Sequence, residues 1–144
     1  MDKALNYLAL ARKARLIELG EEPVGAAARA LKARLVIVAS DATPPTWRRA
    51  KSFVAGTAQV CIKVPYTKDH LGQAVGRTSL ALAAFTDAPL ALAFLQALEQ
   101  PQQYQQEIEQ LQAQTARVRQ RQKEEHAHKR NVRQGRPKGG TQKS

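Results

Sequence analysis

Over the first 100 residues the apolar periodicity switches repeatedly between helical and extended spacing. Few folds accommodate that alternation other than helices packed on a sheet. Its firmest point is the LVIVA run at Leu35–Ala39, unbroken, apolar and rich in β-branched side chains, as expected of a central strand covered on both faces. Around it the order reads helix, strand, helix, strand, helix, strand, helix, strand, helix. Asp2 can cap a helix carrying Leu5 and Leu8 on one side, and an extended segment at Leu16–Leu19 ends at Gly20. Glu21, Glu22 and Pro23 suit the start of a second helix running to about Lys32. Thr43, Pro44 and Pro45 open a third, in which Trp47, Ala50 and Val54 recur at helical spacing while Arg48, Arg49 and Lys51 project elsewhere. Val60, Ile62 and Val64 alternate as a strand. Thr67 caps a helix with Leu71 and Val75 on one face, which Gly76 is placed to end in a left-handed conformation. Leu80–Phe85 is the fourth strand. Asp87 and Pro89 then open an apolar helix through Leu90, Phe94 and Leu98, broken at Pro101.

One compact α/β domain over residues 1–100 fits this length, with residues 101–144 as a polar helical extension and basic tail. In the extension, Tyr104, Ile108, Leu111, Thr115 and Val118 make a narrow stripe at helical spacing. It is too short for a coiled coil, so docking on its own domain or on a partner is favoured over self-association. Apolar positions stop after Val118. Of the formal +11, the segment Arg117–Ser144 holds +8, from ten Lys and Arg against Glu124 and Glu125. Such a segment buries too little apolar surface to offset the entropy of ordering and is expected to be disordered alone. Its natural partner is a polyanion, RNA or DNA first and an anionic membrane second. Expected sequence-independent phosphate contacts are Arg12, Lys13 and Arg15, then Arg117, Arg119, Arg121, Lys123, Lys129, Arg130, Arg133, Arg136 and Lys138.

Other features have structural explanations. Cys61 is the single cysteine, which excludes an intramolecular disulfide and fits inert packing in a reducing compartment. The N-terminus has neither a continuous apolar signal core nor a membrane span, so a cytoplasmic protein is expected. Trp47 reads as core or half-buried, and His70 as a first-turn residue. Arg48, Arg49 and Lys51 stand evenly between a solvated face and a phosphate-contacting one. His126 and His128 lack further ligands at recognisable spacing, so neither a metal nor a cofactor is expected. Asp41, Asp69 and Asp87 sit where turn or cap chemistry accounts for them, and no phosphate loop or nucleophile elbow is visible. The expectation is a protein that is not an enzyme.

Three segments, LGEEPVGAA (19–27), LVIVASDATP (35–44) and KDHLGQAVG (68–76) with the following LALAAFTD, resemble the kink-turn-binding ribosomal protein superfamily, and within it the bacterial YlxQ-like group. The likeness runs in consistent order from Leu5 to Leu98. It implies a three-layer α-β-α sandwich around a mixed four-stranded sheet, with RNA bound at one end. The implied RNA-binding surface is the turn into the second helix, Gly20, Glu21 and Glu22, together with Gly76, Arg77, Thr78 and Ser79 before the last strand; Arg29 adds a cation. A helix N-terminus offers free N–H groups, glycine permits close approach, and Arg can pair bidentately with phosphate or guanine. The chain departs from the pattern at Ala26, where a Lys is usual, and at Arg15 and Leu16, where Gly-Lys is common.

Charge and resemblance together imply a non-catalytic RNA-binding protein of the ribosome or translation machinery, with ribosomal RNA as partner, ribosomal proteins as possible neighbours, no membrane, and a monomeric state outside the RNA complex. The alternative is a protein-interaction adaptor that works through the 104–118 stripe and has lost specific kink-turn binding.

Overall fold

In the computed structural model residues 2–133 are described, the last four of them by backbone alone. The chain order is α1 (Lys3–Ala14), β1 (Ile17–Leu19), α2 (Glu21–Arg29), β2 (Leu35–Val38), α3 (Pro44–Val54), β3 (Val60–Lys63), α4 (Lys68–Ala74), β4 (Leu82–Phe85), α5 (Ala88–Ala97) and α6 (Gln105–Arg133). Caps set most helix starts. The Asp2 carboxylate accepts from the Ala4 N–H at 2.8 Å, Thr43 and Thr67 accept from Thr46 and His70, and Asp87 accepts from Leu90 at 2.9 Å.

The four strands form one mixed sheet in the order β1-β4-β2-β3. β4 runs antiparallel to both β1 and β2, and β2 pairs with β3 in parallel. All four residues of β2 and all four of β4 are buried, which is why these central strands read as unbroken apolar runs. Leu35, Ile37, Ala83 and Phe85 face α1, α4 and α5, where Phe85 and Phe94 bring their rings to 5.0 Å. Val36, Val38, Leu82 and Ala84 face α2 and α3. The result is the expected three-layer α-β-α sandwich.

Several boundaries differ from the sequence reading, each for a local reason. α2 stops at Arg29 and not near Lys32, because Leu31 turns left-handed (φ 59) and the Lys32 N–H donates back to Ala27. β4 begins at Leu82, since the Leu80 N–H is spent on Lys68 of α4. Gly76 is left-handed as expected (φ 78), and so is Arg15 (φ 60), which closes α1 in the conformation that glycine would adopt more cheaply.

The largest difference is α6, a helix of 29 residues that continues through Arg117 to Arg133, where disorder was expected. Gln, Arg, Lys, Glu and Ala are strong helix formers, and no Gly or Pro intervenes before Gly135. Running out of apolar positions ends packing before it ends the helix. The first half docks on the domain itself: Tyr104 and Leu111 are buried in the main core, Ile108 packs against it, and Thr115 is covered. The Tyr104 hydroxyl donates to the carbonyl of Lys63 at 2.9 Å, and the Gln110 amide donates to Ala58. α6 is thus pinned near both ends of β3 and runs antiparallel to that strand. Arg136 and Lys138 lie outside the described residues.

Candidate functional site

The register defines two ends of the sheet. At one, Ile17, Phe85, Leu35 and Val60 stand in line; at the other, Leu19, Ala83, Leu82, Val38 and Lys63. The second end gathers the two segments singled out in the sequence. β1 delivers Gly20 there, and Gly20 donates its N–H to Leu82 at 3.1 Å, which fixes the entry of α2 against the start of β4. Gly20 has φ 97 and ψ 166, a region that side chains bearing a Cβ essentially never occupy. Glu21 and Glu22 follow, exposed, in the first turn of α2.

The segment before β4 is locked onto α4. The Arg77 N–H donates to Gly72 at 2.7 Å and the Leu80 N–H to Lys68 at 3.0 Å. Gly72 has no room for a side chain: a Cβ there would lie 2.7 Å from the Ser79 nitrogen and 2.9 Å from the Arg77 carbonyl. Arg77, Thr78 and Ser79 are all exposed on this clamped backbone. The Arg77 guanidinium reaches across to α2, its Nη1 3.9 Å from where a Cβ on Gly20 would stand. The two segments, more than 50 residues apart in sequence, therefore form one continuous surface.

A third element joins them. Arg49 of α3 places Nε 3.5 Å from the Glu21 carboxylate, and its guanidinium lies 5.9 Å from the Phe53 ring centroid. Both ion-pair partners are exposed, so the pair adds little to stability. Its effect is electrostatic: Arg49 offsets one of two adjacent carboxylates, and Arg77 adds a cation beside them. Among the residues left undecided by the sequence, Arg49 belongs to this surface. Its local spacing gave no sign of that, because the approach depends on α3 packing against α2.

The remaining expected residues separate. Arg29 closes α2 and is exposed, with Nη1 folded back to 3.3 Å from the Cβ position of Gly25, beside Phe53. Arg12, Lys13 and Arg15 lie at the C-terminal end of α1, at the opposite end of the sheet from Gly20. Arg117, Arg119, Arg121, Lys123 and Lys129 are exposed on the distal half of α6, and Arg130 and Arg133 continue that helix. α6 leads away from the Gly20 end, so the described part of the basic arm and the loop-lined edge do not meet.

Other side chains have structural employment. Trp47 is half-buried, with the Lys51 and Lys63 ammonium groups 5.2 and 5.1 Å from its ring. Burial pushes the Cys61 thiol up to about 12 against the opposing charge of Lys51, consistent with an inert packing residue. Asp41 accepts from the Lys68 N–H at 2.8 Å, and His70 is exposed in the first turn of α4. Among the described residues no three His, Cys, Asp or Glu side chains gather as a metal site, and no helix is long and apolar enough to cross a membrane.

No protein-family model matches this chain, and no curated protein does. Solved structures do. A Bacillus halodurans protein with unknown function is 26% identical, with a TM-score of 0.64, over 69% of this chain and 100% of its own. A Giardia lamblia 15.5kD RNA binding protein superposes with a TM-score of 0.52 at 18% identity, covering 67% of this chain and 82% of the other. The second likeness is one of fold. In both, the shared part is about two thirds of this chain.

Proposed function

We propose that this chain is a non-catalytic RNA-binding protein that reads a bent or kinked RNA helix with the surface formed by Gly20–Glu22, Arg77–Ser79 and Arg49. The observation that carries the reading is the convergence of the α2 entry and the clamped 77–79 segment at one end of the sheet. A rigid edge with a helix N-terminus, two carboxylates and two guanidiniums offers both donors and acceptors to exposed base edges. Sheared or unpaired bases present such edges, whereas the deep groove of a regular A-form duplex hides them. The Giardia protein of similar fold is RNA-binding by name, which supports the same class of ligand here. The net charge of +11 suits a polyanionic partner.

Within this reading the partner is ribosomal RNA or another structured RNA of the translation machinery, bound in the cytoplasm. The carboxylates of Asp2, Asp41 and Asp87 are used in caps and turns, which supports a binding role over a catalytic one. Burial of Tyr104, Leu111 and Thr115 against the chain's own core favours this reading over an adaptor that works through the 104–118 stripe. The test is a competition between a kink-turn RNA and a plain duplex of equal length at matched salt, followed by crosslinking in cells and sequencing of the attached RNA. Preference for the bent RNA and enrichment of ribosomal sequences are expected. Equal affinity for both RNAs would overturn the shape-reading edge, and crosslinks to no RNA would overturn the proposal as a whole.

A further inference from the structure

α5 is apolar on every side. Its sequence APLALAFLQA has one polar residue, Gln96, and no charge occurs between Asp87 and Glu99 in a chain whose residues are 24% charged. A helix of that composition belongs inside a larger packed structure. Yet only Ala88, Ala91, Leu92, Phe94 and Leu95 are buried, while Pro89, Leu90, Ala93 and Ala97 are half-covered on its outer face. α1 runs antiparallel beside it, since α1 starts at the Gly20 end, where Asp2 meets Tyr66, and α5 starts beyond Phe85 at the other. Leu10 of α1 is 51% exposed; with Leu31 it is one of two large apolar side chains more than half exposed among the described residues.

Two concavities follow the seam between these helices. One, of about 370 Å³, is lined mainly by Leu10, Leu16, Pro89 and Leu90, with Asp87; the other, of about 150 Å³, has Lys3, Tyr7, Ala97 and Glu99 in its wall. Ala93 lines both, so they form one groove. Charge along it has a definite order. The α1 side carries Lys3 at one end and Lys13, a turn beyond Leu10, at the other; the α5 side carries Glu99 and Asp87 at the same two ends. None of the four is in an ion pair, the single pair among the described residues being Arg49 with Glu21. Lys3 and Glu99 share a concavity without meeting, and Asp87 uses only Oδ2 to cap Leu90.

A uniformly acidic partner helix would be repelled by Glu99 and Asp87, and a uniformly basic one by Lys3 and Lys13. The face itself, turned by half a revolution about the long axis of the groove, meets neither objection. That rotation lays α1 on the partner's α5, with Lys3 toward Glu99, Lys13 toward Asp87, and Leu10 over the apolar stretch from Pro89 to Ala93. We infer that the α1–α5 groove is the interface of a two-fold homodimer, in which the exposed Leu10 of each copy enters the groove of the other. The segment after Arg133, QGRPKGGTQKS, is too polar to fill the groove from within the same chain. Both Gly20 ends point the same way in such a dimer, and no residue of the loop-lined edge takes part in the contact.

The test is sedimentation equilibrium of the full chain, freed of RNA, at about 0.15 M salt, where repulsion between the basic arms is screened. A monomer–dimer equilibrium in the micromolar range is expected. Leu10→Asp, at a side chain already open to water, should weaken it by about 30-fold or more while the preference for bent RNA is kept. Lys3→Glu and Glu99→Lys should each weaken it by about tenfold. An equimolar mixture of these two variants should associate nearly as the parent does, because the mixed dimer again sets opposite charges at both contacts. A parent chain that stays monomeric, a Leu10→Asp chain that dimerises as the parent does, or a mixture that shows no recovery would overturn the interface. Amide shifts at Leu10 and Ala93 on adding RNA, anionic vesicles or an acidic amphipathic peptide to a chain that stays monomeric would give the groove to that occupant instead.

Discussion

The two ends of the sheet put their positive charge in place by different means. At the Gly20 end, a few cations are placed by long-range architecture: Arg77 by the clamp on Gly72, Arg49 by the packing of α3 on α2. At the other end the cations follow one another along α6, from Arg117 to Arg133, and their positions owe little to tertiary structure. Over that stretch the helix extends roughly 24 Å. A rigid, sparse edge can discriminate between shapes, whereas a row of cations on a projecting helix mainly supplies counterion release. Since the two stand at opposite ends, one RNA must span the domain to use both.

The largest effect on this contrast is expected from Gly72→Ala. The added Cβ would meet backbone atoms of Ser79 and Arg77, and backbone cannot swing aside as a side chain can. We expect a loss of about 2–3 kcal/mol in stability by urea unfolding. Discrimination between bent RNA and duplex should also vanish, with the salt slope retained. Unchanged discrimination in the folded variant would show that the clamp does not position the reading surface.

Truncation after Ala116 should have the complementary outcome. Tyr104, Leu111 and Thr115 remain, so the domain keeps its docked helix. Affinity for every RNA should fall, by about 100-fold at low salt, with a flatter salt slope and the preference for bent RNA intact. If the truncated chain loses its preference, the arm contributes to shape reading and the division between the two ends is wrong.

These two variants also mark what the sequence could and could not reveal. LVIVA identified β2 because a strand buried on both faces must be apolar throughout, and the caps at Asp2, Thr43, Thr67 and Asp87 are local chemistry that survives in the fold. Gly20 and Arg77 were reachable through the resemblance. Gly72 was not, since a glycine inside a helix gives no local hint that another backbone passes within contact of it. Arg49 was hidden for the same kind of reason: periodicity gave the exposed face of α3 but not the neighbour that face would meet. The continuation of α6 is legible in helix propensity, whereas apolar spacing marks only where its packing on the domain ends.

A smaller and more selective effect should separate the two guanidiniums at the loop-lined end. Arg77→Ala removes the cation closest to Gly20 and should cost about tenfold on the bent RNA and little on plain duplex. Arg49→Ala frees the Glu21 carboxylate beside the phosphates and should cost about threefold, an effect that added salt erodes. Equal losses on both RNAs would reduce either residue to a general phosphate contact.

The smallest effect expected is one of pH, again confined to the Gly20 end. Tyr66 follows β3 there and donates its hydroxyl to the Asp2 carboxylate at 2.8–2.9 Å, so it braces the cap of α1. Burial, this hydrogen bond and the charge of Asp2 all disfavour the phenolate and raise its pKa above the ordinary value of 10.0. Since the raised value belongs to the folded state, the contribution is fully present below about pH 10 and is lost as pH climbs toward the folded value. Tyr66→Phe should therefore lower stability by about 0.5–1 kcal/mol at neutral pH, and the difference between the two proteins should shrink in alkaline solution. Urea midpoints measured across that range check this. A constant gap between variant and parent would mean that the Tyr66 hydroxyl does not lose its hold on Asp2 as it titrates, and that the alkaline weakness of the fold lies elsewhere.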